Sequence, residues 1–120
     1  MTPPRDPRAP GRGTALVEAH VRAFNDGVRT GVWDAMLTRF ADDAELRFEN
    51  VPAGPFVGVG AIRDAYREQP PDDEIRLLGV QENDEQTAVA AFAWLRGGTG
   101  RLVLEHEGGT VTRLTVIFDE

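Results

Sequence analysis

The chain of 120 residues contains no cysteine, no serine and no lysine. These absences exclude disulfides, thiol and serine nucleophiles, and lysine Schiff bases. The two histidines, His20 and His106, belong to no His-x-x-x-His or Glu-x-x-His pattern. The sequence therefore predicts no metal site, and we expect no cofactor. His106 lies between Glu105 and Glu107, and we expect this segment to be an exposed hairpin tip without a chemical role.

Net positive charge and long apolar runs are also missing. The formal net charge of −7 disfavours nucleic acid and anionic membrane surfaces as partners, because phosphate groups bind basic surfaces. No stretch approaches the roughly 20 apolar residues that span a bilayer. The first 13 residues are rich in proline and arginine and show no signal-peptide pattern. We expect a disordered tail over residues 1–13, one domain over residues 14–120, and a cytoplasmic location.

Apolar residues at helical spacing dominate the first half of the chain. Leu16, His20 and Phe24 share one face of a helix that Thr14 can cap and that Asn-Asp-Gly at residues 25–27 should end. The predicted helices cover residues 14–24, 33–40 and 61–69.

Alternating apolar and polar residues dominate the second half. The predicted strands cover residues 45–50, 75–81, 87–96, 101–105 and 111–118. This order predicts an α+β fold, in which three N-terminal helices cover the concave face of a cone-shaped, curved antiparallel or mixed sheet. Such a cone leaves an apolar cavity open at one end, and cavities of this kind usually bind ligands.

The order of elements resembles the nuclear transport factor 2-like superfamily, which includes ketosteroid isomerases, limonene epoxide hydrolases and SnoaL-like polyketide cyclases. Residues 21–27, Val-Arg-Ala-Phe-Asn-Asp-Gly, are similar to the first helix of the isomerases. Residues 48–52, Phe-Glu-Asn-Val-Pro, look like the tyrosine-x-asparagine-x-proline segment of the hydrolases. The resemblance implies a ligand pocket and a domain that commonly forms dimers through the convex face of its sheet.

The same resemblance assigns possible roles to individual residues. His20 occupies the place of the isomerases' oxyanion-hole tyrosine, and Asn50 matches the asparagine that positions water in the hydrolases. These two residues are the candidate catalytic residues. Most acid–base positions of the three enzyme groups are occupied here by apolar residues, namely Phe48, Ala91, Ala93 and Val116. The position of the isomerases' second oxyanion donor, an aspartic acid, falls near Gly100 or Arg101.

Strand alternation predicts which residues line the cavity and which face outward. Phe92 and Trp94 are expected on the convex face, at the centre of a two-fold homodimer interface. A shift of one residue in register would exchange the two faces. Besides His20 and Asn50, the predicted lining is Phe24, Met36, Phe40, Phe48, Tyr66, Ala91, Ala93, Leu102, Leu104, Leu114, Val116 and Phe118.

Three functional hypotheses follow from the sequence. The leading one is a protein that binds a compact apolar molecule, whose one or two oxygens accept or donate hydrogen bonds to His20, Asn50 or Tyr66. The second is an isomerase, hydrolase or cyclase in which His20, titrating near neutrality, is the general acid or base and Asn50 orients water or a carbonyl. The third is a protein-interaction module that binds a peptide on the convex face or at the cavity rim.

Overall fold

The computed structural model describes residues 11–119, which form an α+β fold with one mixed, curved and open sheet, as predicted. The strand order is β2-β1-β6-β5-β4-β3, and every neighbouring pair is antiparallel except β1 and β6. None of the helices in this part of the chain is both long and apolar enough to cross a membrane. The elements are α1 (Arg12–Thr30), α2 (Asp34–Leu37), β1 (Phe40–Glu49), β2 (Phe56–Val57), α3 (Val59–Glu68), β3 (Ile75–Glu82), β4 (Thr87–Trp94), β5 (Thr99–Glu107) and β6 (Thr110–Phe118).

Helix α1 begins earlier than predicted. Arg12 and Gly13, assigned to the tail from the sequence, belong to the helix, whereas residues 1–10 of that tail lie outside the described residues. Thr14 does not cap the helix; its hydroxyl donates a hydrogen bond of 3.0 Å to Glu82 at the end of β3. The Gly13 N–H donates to the other oxygen of the same carboxylate at 3.1 Å. The first turn of α1 is therefore fixed by the sheet.

The Asn-Asp-Gly segment that predicted the end of α1 lies inside the helix and makes tertiary contacts instead. The Asn25 carboxamide donates to the carbonyl of Ile75 and accepts from its N–H, both at 2.9 Å. Gly27 lies under the indole of Trp33, and a Cβ at this position would approach the ring to 2.3 Å. Asparagine and glycine often mark the end of a helix, but here Asn25 hydrogen-bonds to β3 and Gly27 leaves space for the indole of Trp33.

We expect Gly27→Ala to lower the free energy of unfolding by about 1–3 kcal/mol, because the added methyl group overpacks the contact with Trp33. Gly60→Ala is the matched control in α3, since no atom lies within 4 Å of the position that its Cβ would take and its backbone is not left-handed. That variant should be more stable by about 0.5–1 kcal/mol. Urea unfolding followed by circular dichroism measures both, and equal effects would contradict the contact at Gly27.

Strand β1 begins where the sequence predicted a helix. Phe40 is the first residue of the strand, so the second helix is limited to Asp34–Leu37. The exposed Asp42 and Asp43 lie in β1, where its register against β6 shifts between Phe40 and Glu45. This irregularity interrupts the alternation of buried and exposed side chains, so the first residues of β1 did not show a strand pattern in the sequence.

The predicted assignment of β4 residues to the concave and convex faces of the sheet is wrong, because the alternation is shifted by one residue. Phe92 is only 1% exposed and faces the concave side, whereas Ala91 is exposed on the convex side. The sequence could not decide, because β4 is apolar on both faces. The neighbouring strand decides, since Gly100 leaves space for the Phe92 ring; a Cβ at Gly100 would lie 2.6 Å from it.

Phe92 and Trp94 consequently cannot form the centre of a convex-face interface. Phe92 is buried, and Trp94 also points to the concave side, where its ring contacts Phe24. The convex surface of the same strand carries Val89 and Ala91, next to Val103 of β5. A homodimer through this face stays a prediction, with these smaller side chains in place of the two aromatic ones.

The prediction of an exposed hairpin tip at His106 is also wrong. Strand β5 extends to Glu107, and His106 is 2% exposed. The regular alternation of β5 continues to its end, so His106 lies on the same buried face as Leu102 and Leu104. Its Nδ1 atom is buried without a hydrogen-bond partner. A flanking pair of glutamates indicated solvent, but they lie on the other face of a strand that extends further than predicted.

Candidate ligand-binding site

An apolar cavity of about 190 Å³ lies between α1, α3 and the concave face of the sheet. Side chains from both helices and from all six strands reach it, because the curved sheet turns their inward-facing residues toward one point. The lining consists of His20, Phe24, Leu46, Phe48, Ala53, Phe56, Ala65, Tyr66, Gln69, Pro71, Ile75, Phe92, Trp94, Leu102, Val116 and Phe118.

The structure brings about half of the predicted lining residues to this cavity. Met36, Phe40, Leu104 and Leu114 are buried in the core and do not line it. The predicted residues that do line it are His20, Phe24, Phe48, Tyr66, Leu102, Val116 and Phe118.

Two further lining predictions, Ala91 and Ala93, fail because these residues lie on the other face of β4, so Phe92 and Trp94 take their places at the cavity. Ala53, Gln69 and Pro71 also line the cavity and were missed because they lie in irregular segments, where periodicity carries no signal. Of these three, Gln69 has a polar side chain.

Asn50 does not line the cavity. It has a left-handed backbone with φ 70, an uncommon conformation that asparagine tolerates better than most residues. This conformation breaks the strand alternation, and the exposed side chain donates a hydrogen bond of 2.7 Å to the carbonyl of Phe118. The prediction that Asn50 lines the cavity is therefore wrong, and its side chain instead connects the end of β1 to β6.

His20 reaches the cavity from α1 and is 4% exposed. Its ring meets Phe40 edge-on at a centroid distance of 6.0 Å, and no hydrogen bond joins it to another residue in the described part of the chain. Burial lowers the pKa of His20 from 6.5 to about 4, and the positive charge of Arg39 contributes to this lowering. At neutral pH the imidazole is uncharged and offers one donor and one acceptor.

Tyr66 reaches the cavity from α3. Burial raises the pKa of its phenol, so the hydroxyl keeps its proton at any physiological pH. Its ring packs on Trp33 with centroids 4.9 Å apart, which fixes the orientation of the side chain. Tyr66 therefore adds a second uncharged polar residue to the cavity lining.

Flat aromatic rings form one wall of the cavity. Trp94 and Phe118 are stacked with centroids 5.8 Å apart and planes 10° from parallel. Phe48 continues this wall beside Phe118 at 6.2 Å and 30°, and Phe92 meets Trp94 edge-on at 5.3 Å. Such a surface favours a flat apolar ligand that can stack against it.

No charged side chain lines the cavity among residues 11–119. No carboxylate that could abstract a proton accompanies His20 there. The same residues contain no cluster of His, Cys, Asp or Glu that could hold a metal ion. The site is suited to holding an uncharged molecule.

A known domain family covers most of the chain. The model of the SnoaL-like domain family matches residues 21–119. No curated protein matches the chain.

Several solved structures share the fold. A candidate polyketide cyclase from Xanthomonas campestris pv. campestris is 23% identical, with 90% of each chain covered and a TM-score of 0.70. A candidate ketosteroid isomerase from Kribbella flavida is 19% identical, covering 88% of this chain and 79% of that one, with a TM-score of 0.68. A nuclear transport factor 2-like protein of unknown function from Cytophaga hutchinsonii is 15% identical, covering 93% and 94%, with a TM-score of 0.72. The predicted superfamily is confirmed.

Proposed function

Because this chain belongs to the SnoaL-like domain family, we propose that it binds a small uncharged molecule in the apolar cavity between α1, α3 and the sheet. The observation that carries the proposal is the cavity lining, which combines aromatic walls with the neutral imidazole of His20 and the phenol of Tyr66. Apolar pockets with a few convergent polar groups are the usual form of small-molecule sites.

Binding explains the lining better than acid–base catalysis. A general base is most effective when its pKa lies near the working pH, whereas the pKa of His20 is lowered to about 4. Epoxide opening and ketosteroid isomerisation each need a second acid or base, and the cavity has no carboxylate among the described residues. Asn50, the second member of the enzyme hypothesis, bonds to Phe118 outside the cavity.

Thermal unfolding against a panel of neutral phenols, cyclohexenones, terpene alcohols and steroid enones tests the proposal. At a concentration of about a hundred times its dissociation constant, a ligand stabilises the fold by roughly 2.7 kcal/mol, so at least one class should raise the Tm clearly. The stabilised complexes are then assayed for turnover of the ligand, and no turnover is expected.

A pair of tryptophan variants shows whether the ligand occupies this cavity. Ala65 lines it, so Ala65→Trp should fill the space and abolish the shift. Ala35 is exposed on α2, so Ala35→Trp should leave the shift unchanged. If no compound stabilises the parent protein, or if Ala65→Trp responds like Ala35→Trp, the proposal is wrong.

A further inference from the structure

We infer that the ligand of this cavity is a neutral phenol with a single ring. The inference rests on the proposed function and adds the size, charge and hydrogen-bonding groups of the ligand. Each of these comes from a different observation on the cavity.

The cavity volume limits the ligand to about one ring. A volume of about 190 Å³ is somewhat larger than the roughly 150 Å³ that accommodates benzene in a protein core. It is well below the roughly 300–1,000 Å³ of sites for drug-sized ligands. A benzene ring with one or two substituents fits this space, whereas a molecule of four fused rings does not.

The absence of charged lining residues in the described chain excludes a charged ligand. A buried carboxylate or ammonium group without a partner loses its hydration at high cost. Arg39 is close enough to influence His20, but it does not line the cavity, and its guanidinium donates to the Ala35 carbonyl at 2.9 Å. The net charge of −7 opposes anions further.

The wall formed by Trp94, Phe118 and Phe48 favours a flat ring over a puckered one. Trp94 and Phe118 stack on each other with ring planes 10° from parallel, so the wall is built from aromatic rings in contact. An aromatic ligand can pack on such rings face-on or edge-on, and aromatic pairs contribute more than their buried area alone.

The two buried polar groups favour a hydroxyl over a carbonyl. The neutral imidazole of His20 has one nitrogen that donates and one that accepts, and Tyr66 can do both. A ligand hydroxyl suits both kinds of group, since it can donate to the imidazole and accept from the tyrosine. A carbonyl only accepts, so it would leave the accepting nitrogen of His20 without a partner, which is unfavourable in a buried site. Size, charge, shape and hydrogen bonding together select a neutral phenol.

Isothermal titration calorimetry with four probes at pH 7 tests the inference. The probe p-cresol is a neutral phenol of one ring, toluene lacks its hydroxyl, p-toluate carries a charge instead, and estrone attaches a phenol to three further rings. We expect p-cresol to bind and toluene to bind roughly four- to a hundredfold more weakly, because each of two hydrogen bonds contributes a factor of about two to ten. We expect no measurable binding of p-toluate, which is charged, or of estrone, which exceeds the cavity volume. Tighter binding of estrone or p-toluate than of p-cresol would overturn the phenol class but leave the proposed function standing.

Two variants show whether the hydroxyl contacts the polar groups. Tyr66→Phe removes only an oxygen, so it should weaken p-cresol roughly two- to tenfold and leave toluene unchanged. His20→Ala should act in the same way, although it also enlarges the cavity. If both variants weaken the two probes equally, the hydroxyl does not pair with these residues and the inference is wrong. If none of the four probes binds and the broader panel of neutral compounds also fails, the proposed function itself is wrong.

Discussion

Replacing Phe92 by alanine should lower the free energy of unfolding by about 3–5 kcal/mol, the cost of removing a buried aromatic side chain and leaving a cavity. The side chain is 1% exposed, contacts Trp94 and fills the space above Gly100. Because Phe92 lies at the cavity wall, part of the surrounding structure can relax into the lost volume, which favours the lower part of this range.

Leu95→Ala is the control for Phe92→Ala. Leu95 directly follows the last residue of β4 and is 61% exposed, so its truncation should change the free energy of unfolding by less than about 0.5 kcal/mol. Urea unfolding followed by far-UV circular dichroism measures both variants. Similar small losses for the two would mean that Phe92 faces outward, as the sequence had indicated, and would also invalidate the described cavity wall.

His20 should make the fold less stable as the pH falls from about 6.5 to about 4. The pKa of His20 is about 4 in the folded protein and 6.5 in the unfolded chain. Between these values the unfolded chain binds more protons, so acid favours unfolding. The stability contribution of the neutral imidazole is complete above about pH 6.5 and lost by about pH 4, and this difference corresponds to about 3 kcal/mol.

The variant His20→Gln isolates this effect, since glutamine is polar, similar in size and does not titrate. The free energy of unfolding of both proteins is measured at half-unit intervals from pH 4 to pH 8. Carboxylates titrate in both proteins and cancel in the difference between the curves. We expect that difference to move in favour of the variant by about 3 kcal/mol on acidification. Parallel curves would show that His20 is solvated and does not project into an apolar cavity.

The long helices and strands could be predicted from the sequence, because an element that buries one face carries apolar residues at a regular spacing. The helical stripe containing His20 and Phe24 and the strand alternation from residue 101 onward predicted most elements and the α+β fold. Helix α1 was cut short because Asn25 and Gly27 have the local preferences of a helix end. Asn25 instead hydrogen-bonds to Ile75, 50 residues later in the chain, and Gly27 leaves space for the ring of Trp33. Both roles depend on tertiary contacts that local preferences do not show.

The sequence by itself determined the α+β architecture, the absence of thiol, serine and lysine chemistry, and the position of His20 on the buried face of α1. Only the tertiary structure decided which face of β4 lines the cavity, because the strand is apolar on both sides and alternation gives two equivalent registers. Gly100 resolves that choice by leaving room for Phe92. The tertiary structure likewise turned Asn50 away from the cavity, since one left-handed residue is enough to break the alternation on which the prediction depended.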